Sequence, residues 1–377
     1  MPQNSQSIRI LQVARMKKGG GVASVLMNYY RNIDRSKVQF DFLDDSNADE
    51  TFEEEILRLG GKYYKAPNYK RDPLRFVLVI DKIVKKYDIV HTHELAYNIL
   101  ILFIARINGV SHSHSHSHSH IQDGDYFTKM KRLFVKATHP FYRLATKRFA
   151  VSENSGKFLY GKKSFEKINN AIDVKRFLFS AEKREKVRNK LDLSNDVILV
   201  GYIARFEKQK NHVFLIDVFE EIVKLRQNVR LLLVGDGSGI ENIKEVVIRK
   251  KVADKVIFYG RADNVNELYS AMDIFAFPSL GEGLGIVGIE AQTAGLHVVA
   301  SKNITIEMQV SDLVKWLDLS EGTEKWAKVI LECAKNPKRK DMYDIITKAR
   351  YNISEESKKL MELYVNEMIG TKRITNH

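Results

Sequence analysis

The sequence predicts an α/β protein of two Rossmann-like domains, each built on a mostly parallel sheet. Strand-length apolar runs alternate with helical patterns of ten or more residues, and that alternation restarts once along the chain. The chain also has 377 residues, more than one hydrophobic core usually holds. Crossovers of helical length are right-handed and lay successive strands parallel.

The first series opens with the apolar run Ile8–Val13, then Lys17-Lys18-Gly19-Gly20-Gly21, then a helical pattern over Val22–Tyr30. This is strand, glycine loop, helix. Alternation continues through Val38–Leu43, Thr51–Leu59, a Pro73–Lys85 helix, an Asp88–His91 strand and an apolar Leu95–Ile107 helix. After Asn169-Asn170-Ala171-Ile172-Asp173, the charged stretch Ser180–Lys190 reads as a connector. The second series has strands at Val197–Ile203, Val229–Val234, Val256–Tyr259, Asp273–Phe277 and His297–Ala300. Leu360, Leu363, Tyr364 and Met368 then fall at helical spacing within Glu355–Met368, a helix that could pack back across the first domain. The domain boundaries expected are 1–175 and 176–354, with 355–377 as the terminal helix. Ligands of open parallel sheets sit beyond the carboxyl ends of the strands, so chemistry is sought in the loops that follow them.

Composition narrows the class. The polar N-terminus has no signal-like apolar run and no stretch reaches 18 apolar residues, so a chain neither secreted nor membrane-spanning is expected. The single Cys333 excludes an internal disulfide and any multi-cysteine metal site, as suits a reducing cytoplasm. A charge of +14 favours anionic partners, whether phosphates, anionic lipid or nucleic acid.

Chemistry concentrates in Ser279-Leu280-Gly281-Glu282-Gly283-Leu284-Gly285-Ile286-Val287-Gly288-Ile289-Glu290-Ala291, where two glutamates eight residues apart flank glycines at a strand-to-helix transition. Eight residues is just over two helical turns, which brings Glu290 to roughly the side where Glu282 guards the helix entrance. Backbone N–H groups at Leu284–Val287 could receive a diphosphate at the positive helix end. At the end of the second domain's first strand, Arg205 and Lys210 in Arg205-Phe206-Glu207-Lys208-Gln209-Lys210-Asn211 could aim two cations at one anion. A lone glutamate pair or exposed cation is ordinarily a solvated face; what singles these out is their joint placement after parallel strands.

With these residues in view, the chain resembles the retaining glycosyltransferases of the GT-B fold, specifically glycosyltransferase family 4 and its bacterial capsule or exopolysaccharide transferases. The resemblance covers nearly the whole chain. It rests on Glu282-x7-Glu290, Arg205…Gln209-Lys210-Asn211, Leu233-Val234-Gly235-Asp236-Gly237, Ile257-Phe258-Tyr259-Gly260 and Asn170-Ala171-Ile172-Asp173. It implies parallel sheets facing a central cleft, and no cofactor or metal beyond a nucleotide-sugar co-substrate, with UDP favoured. By the same resemblance Arg205 and Lys210 hold the donor diphosphate, Glu290 the ribose hydroxyls, and Glu282 faces the transferred sugar. Gly283, Leu284, Gly285, Ile286 and Val287 would supply backbone contacts, and Gly19, Gly20 and Gly21 would approach the phosphates or the acceptor. Gly285 is a departure, since close relatives often carry Pro there.

The histidines are a separate case. His112, His114, His116, His118 and His120 alternate with serine, so in a strand all five rings share one face, while in a loop they could form an opportunistic metal-binding tract. The resemblance asks for one histidine beside the reacting sugar, His118 or His116. His91 and His93 also end a strand and also match a family pattern, although packing at the sheet is their plainer reading; no carboxylate or cysteine spacing around them makes a closed zinc site. Tyr126–Ala150 carries seven Lys or Arg, six aromatics and no acid, with helical stretches on either side of Pro140. It is either an ordinary basic face or a surface for anionic membrane, the latter in keeping with lipid-linked glycan acceptors.

Two rivals come from other classes. A sugar-nucleotide epimerase or a dehydrogenase could use a related double Rossmann architecture, although Gly19–Gly21 lacks the G-x-G-x-x-G pattern of a dinucleotide site. A basic lipid- or nucleic-acid-binding module would account for the charge but leaves Glu282 and Glu290 without a purpose.

Overall fold

The computed structural model describes residues 7–93, 98–118, 126–335 and 339–374. Leu95, His120 and the Ile121-Gln122-Asp123 segment lie outside the described residues. The chain divides into two compact units: residues up to Ile172 together with those from Arg350 onward, and Asp173–Ala349.

The first unit holds a seven-stranded sheet of β1 (Ile8–Val13), β2 (Val38–Asp44), β3 (Tyr63–Lys65), β4 (Ile89–Thr92), β5 (His112–Ser117), β6 (Lys147–Ala150) and β7 (Glu166–Lys167), ordered β3-β2-β1-β4-β5-β6-β7. Every pairing is parallel. Strand order reverses between β1 and β4, so the loops after these strands diverge and leave a crevice at the sheet's carboxyl edge. Helix Gly21–Asn32 buries Ala23, Leu26, Met27 and Tyr30 on one face of this sheet. The C-terminal helix Ile353–Ile374 packs in the same core, with Leu360 and Tyr364 buried and the Tyr364 ring edge-on to Phe40 at 6.0 Å.

The His/Ser tract forms β5, a central strand with no apolar side chain. On the serine side its polar groups are met by neighbours. Ser113 donates to the Leu144 carbonyl (3.1 Å), Ser117 to the Ser155 carbonyl (2.8 Å), and the Tyr160 hydroxyl to the Ser115 carbonyl (2.7 Å). The histidines take the opposite face.

The second unit holds a six-stranded sheet of β8 (Ile198–Ile203), β9 (Val229–Val234), β10 (Val256–Gly260), β11 (Ile274–Phe277), β12 (Val298–Ser301) and β13 (Val314–Leu317), ordered β10-β9-β8-β11-β12-β13. It too is parallel throughout, and its order reverses between β8 and β11.

Two expectations need correction. Ser180–Lys190 is not a connector: Ser180 caps a helix, Ala181–Lys190, by accepting from the Lys183 amide. Two of its cations point inward: Arg184 and Arg188 share Asp273 (2.7 and 3.2 Å), and Arg188 also donates to the Val197 carbonyl at 2.7 Å. A charged stretch is helical here because one carboxylate and strand-end carbonyls satisfy its buried guanidinium. Tyr126–Ala150 is helical on both sides of Pro140 only as far as Leu144. Helix Tyr126–Thr138 runs into a 3₁₀ turn, His139–Leu144, that contains Pro140, and the remainder is β6, whose Phe149 and Ala150 are core residues between β5 and β7.

Candidate active site

In the second unit the loops after β8 and β11, the two strands at the order reversal, are laced together. Gln209 donates through its side chain to the Gly281 carbonyl (2.7 Å), its own carbonyl accepts from the Leu280 amide (2.9 Å), and Asn211 donates to the Pro278 carbonyl (3.1 Å). The lacing brings Lys210 onto Glu282, with Nζ 2.7 and 2.8 Å from the two carboxylate oxygens. Ser279, fully buried, donates to Glu282 at 2.8 Å and lies 2.9 Å from the Tyr202 hydroxyl, which donates to the Lys210 carbonyl at 2.8 Å. Lys210 and Glu282 are thus held by a closed polar ring at the strand ends.

Glu282 stands just before helix Ile286–Thr293, as its spacing predicts. The first-turn amides of Ile286 and Val287 precede any i to i−4 bond and sit at the positive helix end. Gly285 caps this helix at φ 79°, a left-handed conformation closed to proline, so the loop here cannot follow the path of a proline-bearing one. Glu290, one face along, accepts from the Tyr269 hydroxyl at 2.9 Å. Burial pushes its carboxyl up to about 7, partly opposed by the Tyr269 bond and by Arg176.

Arg205 is exposed and paired with Glu207 at 2.8 Å. Its loop is positioned by Gly235-Asp236-Gly237 after β9: the Asp236 carbonyl accepts from the Phe206 amide at 2.7 Å, and a Cβ on Gly235 would stand 2.1 Å from the Ala204 carbonyl. The Gly-Asp-Gly turn is therefore a backbone cradle for the Arg205 loop.

In the first unit the crevice between β1 and β4 gathers the glycine loop and the histidines. Gly19 has φ 79°, Gly20 precedes the helix, and a Cβ on Gly21 would meet nothing within 4 Å, leaving the backbone open to approach. The loop is anchored where the Lys18 amide donates to the Glu50 carbonyl at 3.0 Å. His93, just past β4, donates its amide to the Val13 carbonyl (3.0 Å) and places Nε2 2.7 Å from Gln12 Oε1. An amide oxygen only accepts, so Nε2 carries the proton and Nδ1 presents a lone pair. His118 Nε2 lies 2.8 Å from that Nδ1 and donates to it. The chain Gln12–His93–His118 thereby sets the His118 tautomer, and burial pushes its imidazole down to about 3, keeping it neutral. His116 lies deeper, beside Phe149 in the β5–β6 register, and is buried. His91 Nδ1 lies 2.7 Å from the Tyr364 hydroxyl.

Ser279, Tyr202, Tyr269, Gln12 and Tyr364 escape sequence reasoning. Each is an ordinary core residue until its partner is known, and only Ser279, two residues past the end of β11, carried a positional signal.

Comparison with known proteins accords with this geometry. The family profile "Glycosyltransferase Family 4" matches residues 19–176 and "Glycosyl transferases group 1" matches residues 183–351. The chain is 31% identical to the "Putative glycosyltransferase EpsF" of Bacillus subtilis (strain 168), over 96% of this chain and 97% of that one. It is 23% identical to the UDP-Gal:alpha-D-GlcNAc-diphosphoundecaprenol alpha-1,3-galactosyltransferase of Escherichia coli, over 79% and 80% of the two chains. Among solved structures, Anabaena Alr3699/HepE in complex with UDP and glucose superposes with a TM-score of 0.73 at 19% identity, covering 98% of this chain and all of that one. A glycosyltransferase from Rickettsia africae gives 0.76 at 20% identity over 96% and 99%. The fold is GT-B, and the chain belongs to the family 4, group 1 glycosyltransferases.

Proposed function

We propose that this glycosyltransferase moves a sugar from a nucleotide-sugar, a UDP-sugar, to a hydroxyl of a glycan or lipid-linked glycan in surface polysaccharide biosynthesis, with retention at the anomeric carbon and without a metal. The observation that carries this is the Lys210–Glu282 pair, fixed by Ser279 and Tyr202 at the head of helix Ile286–Thr293. A diphosphate leaving group gains negative charge as its bond to the sugar C1 breaks. Lys210, Arg205 and the amides of Gly283–Val287 are preorganised cations and dipoles that meet that charge, the task a divalent metal performs elsewhere. In this reading Glu290 accepts from the ribose hydroxyls and Glu282 faces the transferred sugar.

Residues 176–354 serve as the donor side, and 1–175 as the acceptor side with the glycine loop Gly19–Gly21. Of the two histidines, His118 at the carboxyl end of β5 is the better placed for the sugar, and buried His116 supports it. The new bond joins the acceptor oxygen to C1, on the face the diphosphate leaves, and the acceptor proton departs with that diphosphate. UDP is supported by the ligand of the Anabaena neighbour and the donor in the Escherichia coli relative's name, and a lipid-linked acceptor by that same name. The enzyme acts at the cytoplasmic membrane face, where such acceptors are presented; nucleic acid has no part in this reading.

The test is a screen of UDP-sugars against membrane lipid extracts. Free UDP is expected only when donor and acceptor are both present, at a rate unchanged by adding or withholding Mg²⁺ or Mn²⁺. UDP release without acceptor, or a product that is an altered nucleotide-sugar, would favour the epimerase reading. A rate that rises from zero with Mn²⁺ would overturn metal independence. Lys210→Ala removes one charge-stabilising group and is expected to lower turnover by roughly a hundredfold, about 3 kcal/mol, with the circular dichroism spectrum retained.

A further inference from the structure

Transfer calls on one histidine beside the sugar and does not account for the density of rings behind it. His91, His93 and His116 each offer one ring nitrogen, and these three atoms lie within 4.8 Å of one another in the interior of the first unit. The rings are close, with centroids 4.4 Å apart for His91 and His93 and 5.3 Å for His93 and His116. Between them is a cavity of about 10 Å³ that Gln12, His118 and Tyr364 also line.

Among the described residues nothing bonds His91 Nε2 or either nitrogen of His116, though all are shielded from solvent. Buried imidazole nitrogens left unmet are destabilising, so several at one point call for a common partner. The surrounding bonds select lone pairs rather than protons. His93 donates Nε2–H to Gln12, and His91 can donate Nδ1–H to the Tyr364 oxygen, which leaves a lone pair on His91 Nε2 and one on His93 Nδ1 that meets only the His118 ring, a bond an ion would displace. Metal-bound histidines characteristically hold their second nitrogen in this way.

We propose that His91, His93 and His116 form a binding site for a borderline transition-metal ion, of which Zn²⁺ is the type. Three imidazoles without thiolate suit Zn²⁺, Co²⁺ or Ni²⁺ and disfavour Mg²⁺ and Ca²⁺. Tetrahedral bonds of about 2.1 Å need ligand nitrogens roughly 3.4 Å apart, a contraction that small ring rotations into the cavity supply. The fourth position goes to water, or to His118 Nε2 once its proton has moved to Nδ1; that nitrogen stands 2.8 Å from His93 Nδ1. The ion would join β4 to β5 and, through His91 and Tyr364, to the C-terminal helix. It is remote in kind from a diphosphate clamp, having no carboxylate, and it stands whether or not the transfer reading does.

The test uses full-length protein purified without a metal-affinity step or tag, stripped with a chelating resin and titrated with Co²⁺. The expected result is about one tightly held ion per chain with the intense visible bands of a four-coordinate site, displaced by Zn²⁺. The pair His112→Ser and His120→Ser removes the tract's outer imidazoles and should leave that spectrum intact, whereas His116→Ser and His91→Gln should each abolish it. Should either inner variant fail to fold, the wild-type spectrum and stoichiometry decide. No stoichiometric ion, a weak six-coordinate spectrum, or a signal lost with the outer pair alone would overturn the proposal in favour of adventitious capture.

Discussion

At the scale of single residues the informative group is Glu290. Burial lifts its carboxyl from 4.5 to about 7, and only the Tyr269 hydroxyl and Arg176 draw it back. The folded chain therefore holds this proton more tightly than the unfolded chain does. The associated stability is complete below pH 4.5 and is lost as pH rises through about 7. Glu290→Gln mimics the protonated acid, so its melting temperature relative to wild type should climb between pH 5 and pH 8; a flat difference would place the carboxyl in water. Function should run the other way. If the carboxylate accepts from ribose hydroxyls, wild-type KM for the donor falls as pH rises through about 7, and that inflection vanishes in Glu290→Gln. A wild-type KM that does not respond to pH there would remove Glu290 from the donor site.

At the scale of elements, what could be read from sequence was whatever announces itself by apolar periodicity. Strands such as Val229–Val234 and the glycine-to-helix transition at Gly283–Val287 did so, and with them came Glu282 and Lys210. β5 could not, because its histidines and serines give no apolar signal; only its neighbours' carbonyls and the Tyr160 hydroxyl make it a central strand. The helix Ala181–Lys190 hid for the opposite reason, its inward face being cationic and dependent on Asp273, 85 to 89 residues away from its two arginines. Ser279 and Tyr202 were invisible because their role lies in a tertiary ring. The Gly235 turn offers an element-scale test. At φ 144° and 2.1 Å from the Ala204 carbonyl, an added methyl must push the Arg205 loop away. Gly235→Ala should cost about 1–3 kcal/mol of stability and raise donor KM while the sheet persists. Unchanged donor KM would detach the Arg205 loop from donor binding.

At the scale of the whole molecule, the proposed action at a membrane face can be tested on a chain of charge +14 that has a patch of exposed apolar side chains. No helix among the described residues is long and apolar enough to cross a membrane. Helix Tyr126–Thr138 and its 3₁₀ extension expose Met130, Leu133, Phe134 and Phe141, each more than half accessible, within a segment that has no acid. A surface of that kind settles into the headgroup region, with apolar rings inserted and cations on anionic lipid. Each cation near such a surface contributes about 1 kcal/mol, so replacing Lys129, Lys131 and Arg132 with alanine should weaken binding to phosphatidylglycerol vesicles by up to roughly a hundredfold. Salt should weaken the wild type likewise as the Debye length contracts from about 10 Å at 0.1 M to 3 Å at 1 M. Replacing Leu133 and Phe134 with serine should lower affinity without altering the salt slope, because it removes insertion and leaves charge in place. The two variants therefore separate the components, and vesicle sedimentation reads both. Binding indifferent to lipid charge, to salt and to all five side chains would show that the segment is an ordinary basic face, with lipid-linked acceptors reached by diffusion alone.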